Sequence, residues 1–553
     1  MLTATWLLLA CGSNAESRFI RLRNEIIDTA FAPAAATALP GTRTVAGSKN
    51  QAAVSGLFLI QFRDHPRPNW RAELSAAHVD LLQYVPDDTF VARLEGVSLA
   101  QLQTLPHVRW VGPYRPEHKL HNSLRAAAQA RQPASRRPLT VLLSPRATPA
   151  EADEVRRLFL SIHQQAKYDF GIVLRGVAPD PALQSLAESH AVLWIEPGPR
   201  IQLHDEIASH IVGGESGSHP TLTQALGFNG DGVRVAVADS GLDTGLAGDM
   251  HPDLFGRVAA FFFYGALTDA SDQHGHGTHV TGIIAGNGAT GETDEHNALY
   301  GLGVAPEATI VVQRMFDRNG AYQAPPSFEV LTHDAVRAGA DIGSNSWGDD
   351  TQGRYDVSAA EFDALVRDAD LGTPHDQPYI LEFSAGNAGP GVQTISSPAV
   401  AKNVIATGAS QNNRFTFFDN DEGQEAMAGF SSRGPAEDGR IKPDVVAPGT
   451  WIASLRSKFA DDNNALAKIS ENYQYQSGTS QAGPHVSGAA AVFVQYYRET
   501  YAIDSPSPAL VKAALINSAV DMENDSGTGP VPNRDEGWGR VDLLSSCHLQ
   551  PCH

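Results

Sequence analysis

From Gly232 onward the sequence alternates short apolar runs with longer amphipathic segments, and this alternation limits the fold more than any other feature of the chain. Val233–Ala238, Ala308–Val312, Ala340–Ser346, Tyr379–Ser384 and Asn403–Thr407 read as strands, with helices predicted over Phe328–Ala338 and Ala359–Ala369. Near-continuous apolar strands separated by helices predict an α/β fold: a mostly parallel sheet with helices on both faces. Ligands of such sheets bind outside the carboxyl ends of the strands, so chemistry is to be sought in the residues that close each strand.

The first 200 residues have a different texture. Leu57–Phe62 matches Leu139–Ser144 as a first strand, and Thr89–Leu94 matches Gly171–Arg175 as a middle one. Trp110–Pro113 and Trp194–Pro197 close both copies. Each copy reads strand, helix, strand, helix, strand, which predicts two repeated small α+β units of ferredoxin-like type over residues 52–120 and 138–202. An Ala/Gln/Arg-rich stretch, Asn122–Arg137, links them, and residues 203–546 form the main domain. At 553 residues the chain is too long for one ordinary core, in keeping with this division.

Charge divides the same way. Residues 1–200 hold five more Lys and Arg than Asp and Glu, whereas residues 201–553 hold 26 fewer, for a net charge of −21. Nucleic-acid binding needs clustered Lys and Arg to neutralise phosphates, so an acidic main domain excludes that class. Residues 1–11 end in an apolar run, Leu2–Cys11, about half the length a bilayer-spanning helix needs. With small residues at its end the run resembles the back half of a secretion signal, and Leu8–Cys11 resembles a lipoprotein cleavage box. The expectation is an exported protein with no transmembrane span, with lipid attachment at Cys11 as the lesser alternative. The three cysteines, Cys11, Cys547 and Cys552, leave the main core without disulfides.

Three motifs carry the chemistry. Asp239 ends the strand Val233–Ala238 and so projects from the carboxyl edge of the sheet. His274-Gly275-His276-Gly277-Thr278-His279 precedes an apolar helix start. Its histidines invite a metal, yet the Glu of a His-Glu-x-x-His site is missing. In Ser477-Gly478-Thr479-Ser480 a serine sits where a long Ala/Val-rich helix begins, and there the backbone N–H groups favour negative charge developing on an attacked carbonyl. A serine hydroxyl attacks only when a histidine takes its proton and a carboxylate orients that histidine. Asp239, His276 and Ser480 supply the three roles.

In this chain order the motifs resemble those of the subtilases, the subtilisin-like serine proteases. The resemblance spans about residues 203–545 and implies that Asp239 orients, His276 is general base and acid, and Ser480 is the nucleophile. Asn387, in Ser384-Ala385-Gly386-Asn387, is implied as oxyanion donor, and Ser346-Trp347-Gly348 with Ser384-Ala385-Gly386 as the strands that bind substrate. The substrates implied are proteins or peptides, and the N-terminal units read as a prosegment, chaperone and inhibitor of the domain that follows until autoprocessing removes it. Phe430–Pro435, Asp438–Gly449 and Gly537–Val541 are similar to the oxidatively stable alkaline members. That subgroup usually continues into a C-terminal β-barrel, whereas this sequence reaches His553 without one. Most subtilases carry Met directly after the nucleophile, where this chain has Gln481.

The resemblance implies no cofactor for the chemistry. Metal ligands are unassigned. Structural calcium is a candidate at the loop Asn287–Asn297, where Glu292, Asp294 and Glu295 are hard oxygen ligands, although their spacing suits a solvated acidic loop equally well. His274, His279 and His485 read as packing or hydrogen-bonding residues, and Asp243 as a turn residue rather than a support of the site. Two rivals stand beside the protease: a binding protein on an inactive scaffold, against which the intact motifs count, and a metal-dependent hydrolase built on the histidine cluster.

Overall fold

The computed structural model describes residues 19–29, 53–129, 136–198, 202–203, 212, 221–294, 298–412, 423–460, 464–522 and 529–547. Cys11, Glu295, Cys552 and most of the stretch from Pro199 to Ser209 lie outside them. The chain divides into two compact units, Met1–Gly198 and Pro199–His553.

In the first unit a hairpin of β1 (Phe19–Arg21) and β2 (Ile26–Asp28) precedes two small sheets. One is built from β3 (Ala53–Phe62), α1 (Pro68–Ala76), β4 (Val79–Val85), β5 (Thr89–Ser98), α2 (Leu99–Thr104) and β6 (Val108–Pro113). After α3 (Asn122–Gln129) the other uses β7 (Arg136–Leu143), α4 (Pro149–Arg156), β8 (Ser161–Tyr168), β9 (Gly171–Pro179), α5 (Ala182–Glu188) and β10 (Val192–Pro197). Their strand orders, β4-β5-β3-β6 and β8-β9-β7-β10, are the same topology, so the repeat is structural. In each, both helices pack on one face of the sheet: Leu74 and Leu102 against Phe58 and Ile60, Val155 and Leu186 against Val141 and Leu143.

Two expectations need correction here. Each copy has four strands rather than three, the overlooked ones being the edge strands β4 and β8. Most of β8, Ser-Ile-His-Gln-Gln-Ala-Lys-Tyr, faces water, so it lacks the apolar signature of its neighbours. The stretch Asn122–Arg137 is also more than a link, since it begins with α3.

In the second unit the order is β11 (Gln202–Leu203), α6 (Leu222–Ala225), β12 (Arg234–Asp239), β13 (Val258–Phe263), α7 (His276–Ala285), β14 (Thr309–Arg314), α8 (Phe328–Arg337), β15 (Ile342–Asn345), β16 (Trp347–Gly348), α9 (Val357–Leu365), β17 (Ile380–Ser384), β18 (Ile405–Ser410) and β19 (Val445–Pro448). β20 (Ile452–Leu455), β21 (Ala467–Lys468) and β22 (Tyr473–Gln476) form a small antiparallel sheet, and α10 (Thr479–Tyr501), α11 (Pro508–Asn517) and α12 (Leu543–Ser546) follow. Seven strands pair in parallel in the order β13-β14-β12-β15-β17-β18-β19. Five of them, β12, β14, β15, β17 and β18, run to within three residues of the predicted spans because buried parallel strands are apolar along their whole length, whereas β13 and β19 were not predicted. α9 starts two residues early because Asp356 caps it, accepting the Ala359 N–H.

Helices cover both faces, as the alternation of β17 shows. Phe383 packs edge-to-face on Phe362 of α9, ring centroids 4.8 Å apart, while the next residue back, Glu382, faces α10. Asp239, Ser346 and Asn387 accordingly stand at the carboxyl ends of β12, β15 and β17 or just past them.

Candidate functional site

Asp239 is the last residue of β12 and is buried with His276, each 1% exposed. Its Oδ1 accepts the Ser240 N–H at 2.7 Å and lies 2.7 Å from His276 Nδ1. An ionised carboxylate has no proton to give, so Nδ1 donates and Nε2 is the basic nitrogen of the ring. His276 opens α7 directly after Gly275, whose φ of +94° and whose hydrogen in place of a Cβ, 2.7 Å from Ala460 Cβ, make glycine necessary there.

A further carboxylate, not marked by the motifs, holds this corner. Asp272 is fully buried and accepts from Ser240 Oγ, the His274 and Gly275 N–H groups, and both the N–H and hydroxyl of Thr278. It therefore ties the end of β12 to the first turn of α7. An Asp just before a helix start was the available signal. Asp243 does more than turn the chain: its N–H donates to Thr278 Oγ1 and its Oδ1 accepts the Lys458 N–H.

Ser480 is the second residue of α10, the helix that packs against α7. Pro484 has no N–H to give to the Ser480 carbonyl four residues back. Ser346 replaces it: its hydroxyl donates to the Ser480 carbonyl at 2.7 Å, and Ser480 Oγ donates to the Ser346 carbonyl at 2.8 Å. Asn387 Oδ1 accepts the N–H and the hydroxyl of Thr479, both at 2.9 Å. Because a backbone N–H can only donate, this fixes the amide orientation and turns the Asn387 NH₂, the donor end, away from Thr479.

Residues 230–539, more than half of the sequence, match the subtilase peptidase family. The chain belongs to the subtilase family. Residues 21–115 match a second family, a domain of unknown function. Serine protease AprX of Bacillus subtilis is 35% identical over 277 residues, 48% of this chain and 58% of AprX. Pyrolysin of Pyrococcus furiosus is 29% identical over 396 residues, 61% of this chain but 27% of its own length. This subtilase therefore spans well under two thirds of these relatives. The crystal structure of fervidolysin from Fervidobacterium pennivorans, a keratinolytic enzyme related to subtilisin, superposes with a TM-score of 0.51 at 22% identity, covering 76% of this chain and 62% of that one, and so shares the fold.

The six substrate-strand residues expected of a subtilase lie together but are not equivalent. Trp347 is fully buried and packs its ring among Phe328, Phe362 and Phe383, so only its backbone faces a strand partner. That partner is β11: Gln202 and Leu203 pair antiparallel with Gly348 and Trp347. Between β16 and the segment Ser384–Gly386 stands Ser396, whose Oγ would lie 2.8 Å from a Cβ on Gly348 and 3.2 Å from one on Gly386.

His279 accepts from Gln481 Nε2 on its Nδ1 at 3.4 Å, which leaves Nε2 to donate to the Ile452 carbonyl at 3.3 Å. Both ring nitrogens are thus engaged in packing the subtilase core rather than directed at a metal. His485 donates to the Gln481 carbonyl, and His274 packs edge-on to His276. In the acidic loop Glu292 accepts from Asn472 and Asp294 from the Ala298 N–H, and no group of three or more His, Cys, Asp or Glu side chains among the described residues could hold a metal ion. Cys547 is buried in the core, and burial pushes its thiol up to about 12.

Proposed function

We propose that this subtilase is a serine endopeptidase in which Ser480 attacks the scissile carbonyl, His276 takes and returns the proton, Asp239 holds His276, and Asn387 donates to the oxyanion. The buried Asp239–His276 hydrogen bond of 2.7 Å carries the reading, because it sets the tautomer a general base requires. Turning the Ser480 hydroxyl from the Ser346 carbonyl toward His276 starts the reaction, and catalytic bonds often tighten only when substrate is bound. No cofactor takes part in these steps. A fluorophosphonate, which reacts with activated serines, is expected to label the Ser480 peptide; labelling elsewhere, or none, would remove the assignment.

Proteins and peptides are the proposed substrates, bound as an added β-strand along Trp347–Gly348 and so read through their backbone. The pairing of Gln202–Leu203 at that edge supports a second step, self-processing beside Leu203. The basic first 200 residues and acidic remainder are suited to attract each other while the first part acts as chaperone and inhibitor. The mature N-terminus of the exported protein, read by mass spectrometry, is expected at or next to His204. A mature chain that starts near residue 50 and keeps both repeats would overturn the prosegment reading.

Resistance to peroxide follows from Gln481. Oxidation of a thioether beside the nucleophile places a polar sulfoxide at the oxyanion site, whereas the amide of Gln481, buried against Gln476 and His279, has no sulfur. Met250, Met315, Met427 and Met522 are buried and lie outside the three catalytic motifs, although the Met315 N–H donates to the Asp239 carbonyl. Dilute peroxide is expected to leave most activity in the unmodified protein and to inactivate Gln481→Met in step with sulfoxide formation at that position. Rapid loss in the unmodified protein would show that another residue governs sensitivity.

A further inference from the structure

A carboxyl group with no part in the proposed chemistry lies buried between β17 and α10. Glu382 is 1% exposed, and a Cβ on Gly483 would stand 2.6 Å from its Oε1 and 2.9 Å from its Oε2. Glycine inside a helix is less favourable than alanine, and at Gly483 the missing side chain is the space the carboxyl fills. Ser487 Oγ lies 3.3 Å from Oε2 and 2.9 Å from Ser344 Oγ, while Oε1 has no hydrogen-bond partner among the described residues.

The placement links both ends of the proposed machinery. Ser480, Gly483 and Ser487 are spaced i, i+3 and i+7, one stripe of α10 facing the sheet. Along that stripe Ser480 meets Ser346, Gly483 meets Glu382, and Ser487 meets Glu382 and Ser344. Five residues beyond Glu382, the same strand has run on into Asn387. We propose that Glu382 is a positioning residue, fixing the first turns of α10, and so Ser480, to the strand that leads to the oxyanion donor. This rests on Ser480 being the nucleophile.

Protonation decides whether the tie holds. Burial pushes the carboxyl up to about 8, against the smaller opposing pull of the Thr407 and Ser487 hydroxyls and an Asn345 N–H. No charged group faces it among the described residues: β15 brings Ser344 and Asn345, β18 brings Thr407, and α10 brings Gly483 and Ser487, none of which titrates near neutrality. Tyr379 points to the opposite face with Leu381, against Gly343. At pH 7 Glu382 is therefore a neutral acid able to donate as well as accept. Ionised, it would place an unpaired charge under α10.

The test measures fluorophosphonate labelling at Ser480 and kcat and KM from pH 5 to 10, for the unmodified protein, Glu382→Gln and Glu382→Leu. The unmodified protein is expected to lose labelling rate and kcat above pH about 8 with KM little changed. Glu382→Gln keeps the size and hydrogen bonding but cannot ionise, so it is expected to label as fast at pH 7 and to lack that alkaline limb. Glu382→Leu is expected to label and turn over at least tenfold more slowly at pH 7, since small misplacements of reacting groups cost up to about 10²-fold.

Stability supplies a second reading. A carboxyl raised from 4.5 to about 8 makes the folded state hold a proton that the unfolded chain releases, so stability falls as pH rises through that window. The unfolding temperature of Glu382→Gln is thus expected to pull ahead of the unmodified protein's between those pH values. An alkaline limb unmoved in Glu382→Gln overturns this proposal while labelling at Ser480 keeps the nucleophile. No labelling of the unmodified protein overturns both.

Discussion

Replacement of Ser480 by alanine is expected to abolish peptide hydrolysis while leaving the fold in place. The substitution removes the nucleophile from the second residue of α10 and one hydrogen bond, that of Ser480 Oγ to the Ser346 carbonyl. It leaves the reciprocal bond, from Ser346 Oγ to the Ser480 carbonyl, which replaces the N–H that Pro484 lacks. The helix start therefore stays anchored, and the structural cost is that of one underserved buried carbonyl, about 1–3 kcal/mol. Loss of the serine in this family costs about 10⁶-fold in kcat, a value taken from a family member rather than derived from this geometry. Binding and the oxyanion donor survive, so a small residual rate over water is consistent with the assignment. Turnover within about 10²-fold of the unmodified protein, at unchanged unfolding temperature, would sink it.

How much of this could be read from the sequence depended on burial. The five inner strands predicted for the seven-stranded sheet announce themselves because water touches neither face, so they are apolar nearly throughout, whereas the edge strand β13 is partly exposed and was missed. The edge strands β4 and β8 do not announce themselves either, because an edge strand can be polar on the side it shows to solvent. The three motifs stand out for another reason: Asp239 ends a strand and His276 and Ser480 open helices, positions where chemistry in such sheets is sought, whereas Asn387 enters only through the family resemblance those motifs carry. Residues that act through contacts distant in sequence were hidden. Asp272 serves Ser240, and Ser346 serves Ser480, across 32 and 134 positions, pairings that only the folded topology creates. Glu382 is the clearest case: in Tyr-Ile-Leu-Glu-Phe-Ser nothing distinguishes a charged residue at a strand boundary from one buried against Gly483.

Asp239→Asn is expected to lower kcat by about 10⁴-fold, the order of loss on removing the triad aspartate in a family member, with little change in KM and a stability cost of about 1–3 kcal/mol for a buried unpartnered NH₂. In the usual triad the asparagine NH₂ turns toward the imidazole and holds it in the wrong tautomer. Here Oδ1 accepts both the Ser240 N–H and His276 Nδ1, each at 2.7 Å, and a backbone N–H can be satisfied only by the amide oxygen. Asparagine is therefore expected to keep its oxygen on both donors and to put its NH₂ where Oδ2 stood, a buried position with no hydrogen-bond partner among the described residues. The tautomer survives and the negative charge does not, so the loss isolates how much the carboxylate stabilises the imidazolium that forms as Ser480 attacks. Fluorophosphonate labelling at Ser480 should slow in parallel with kcat, because it draws on the same proton transfer. A loss below about 10²-fold would mean that charge at position 239 matters little beside orientation. Full-length folding with labelling at the unmodified rate would contradict the role of Asp239 altogether.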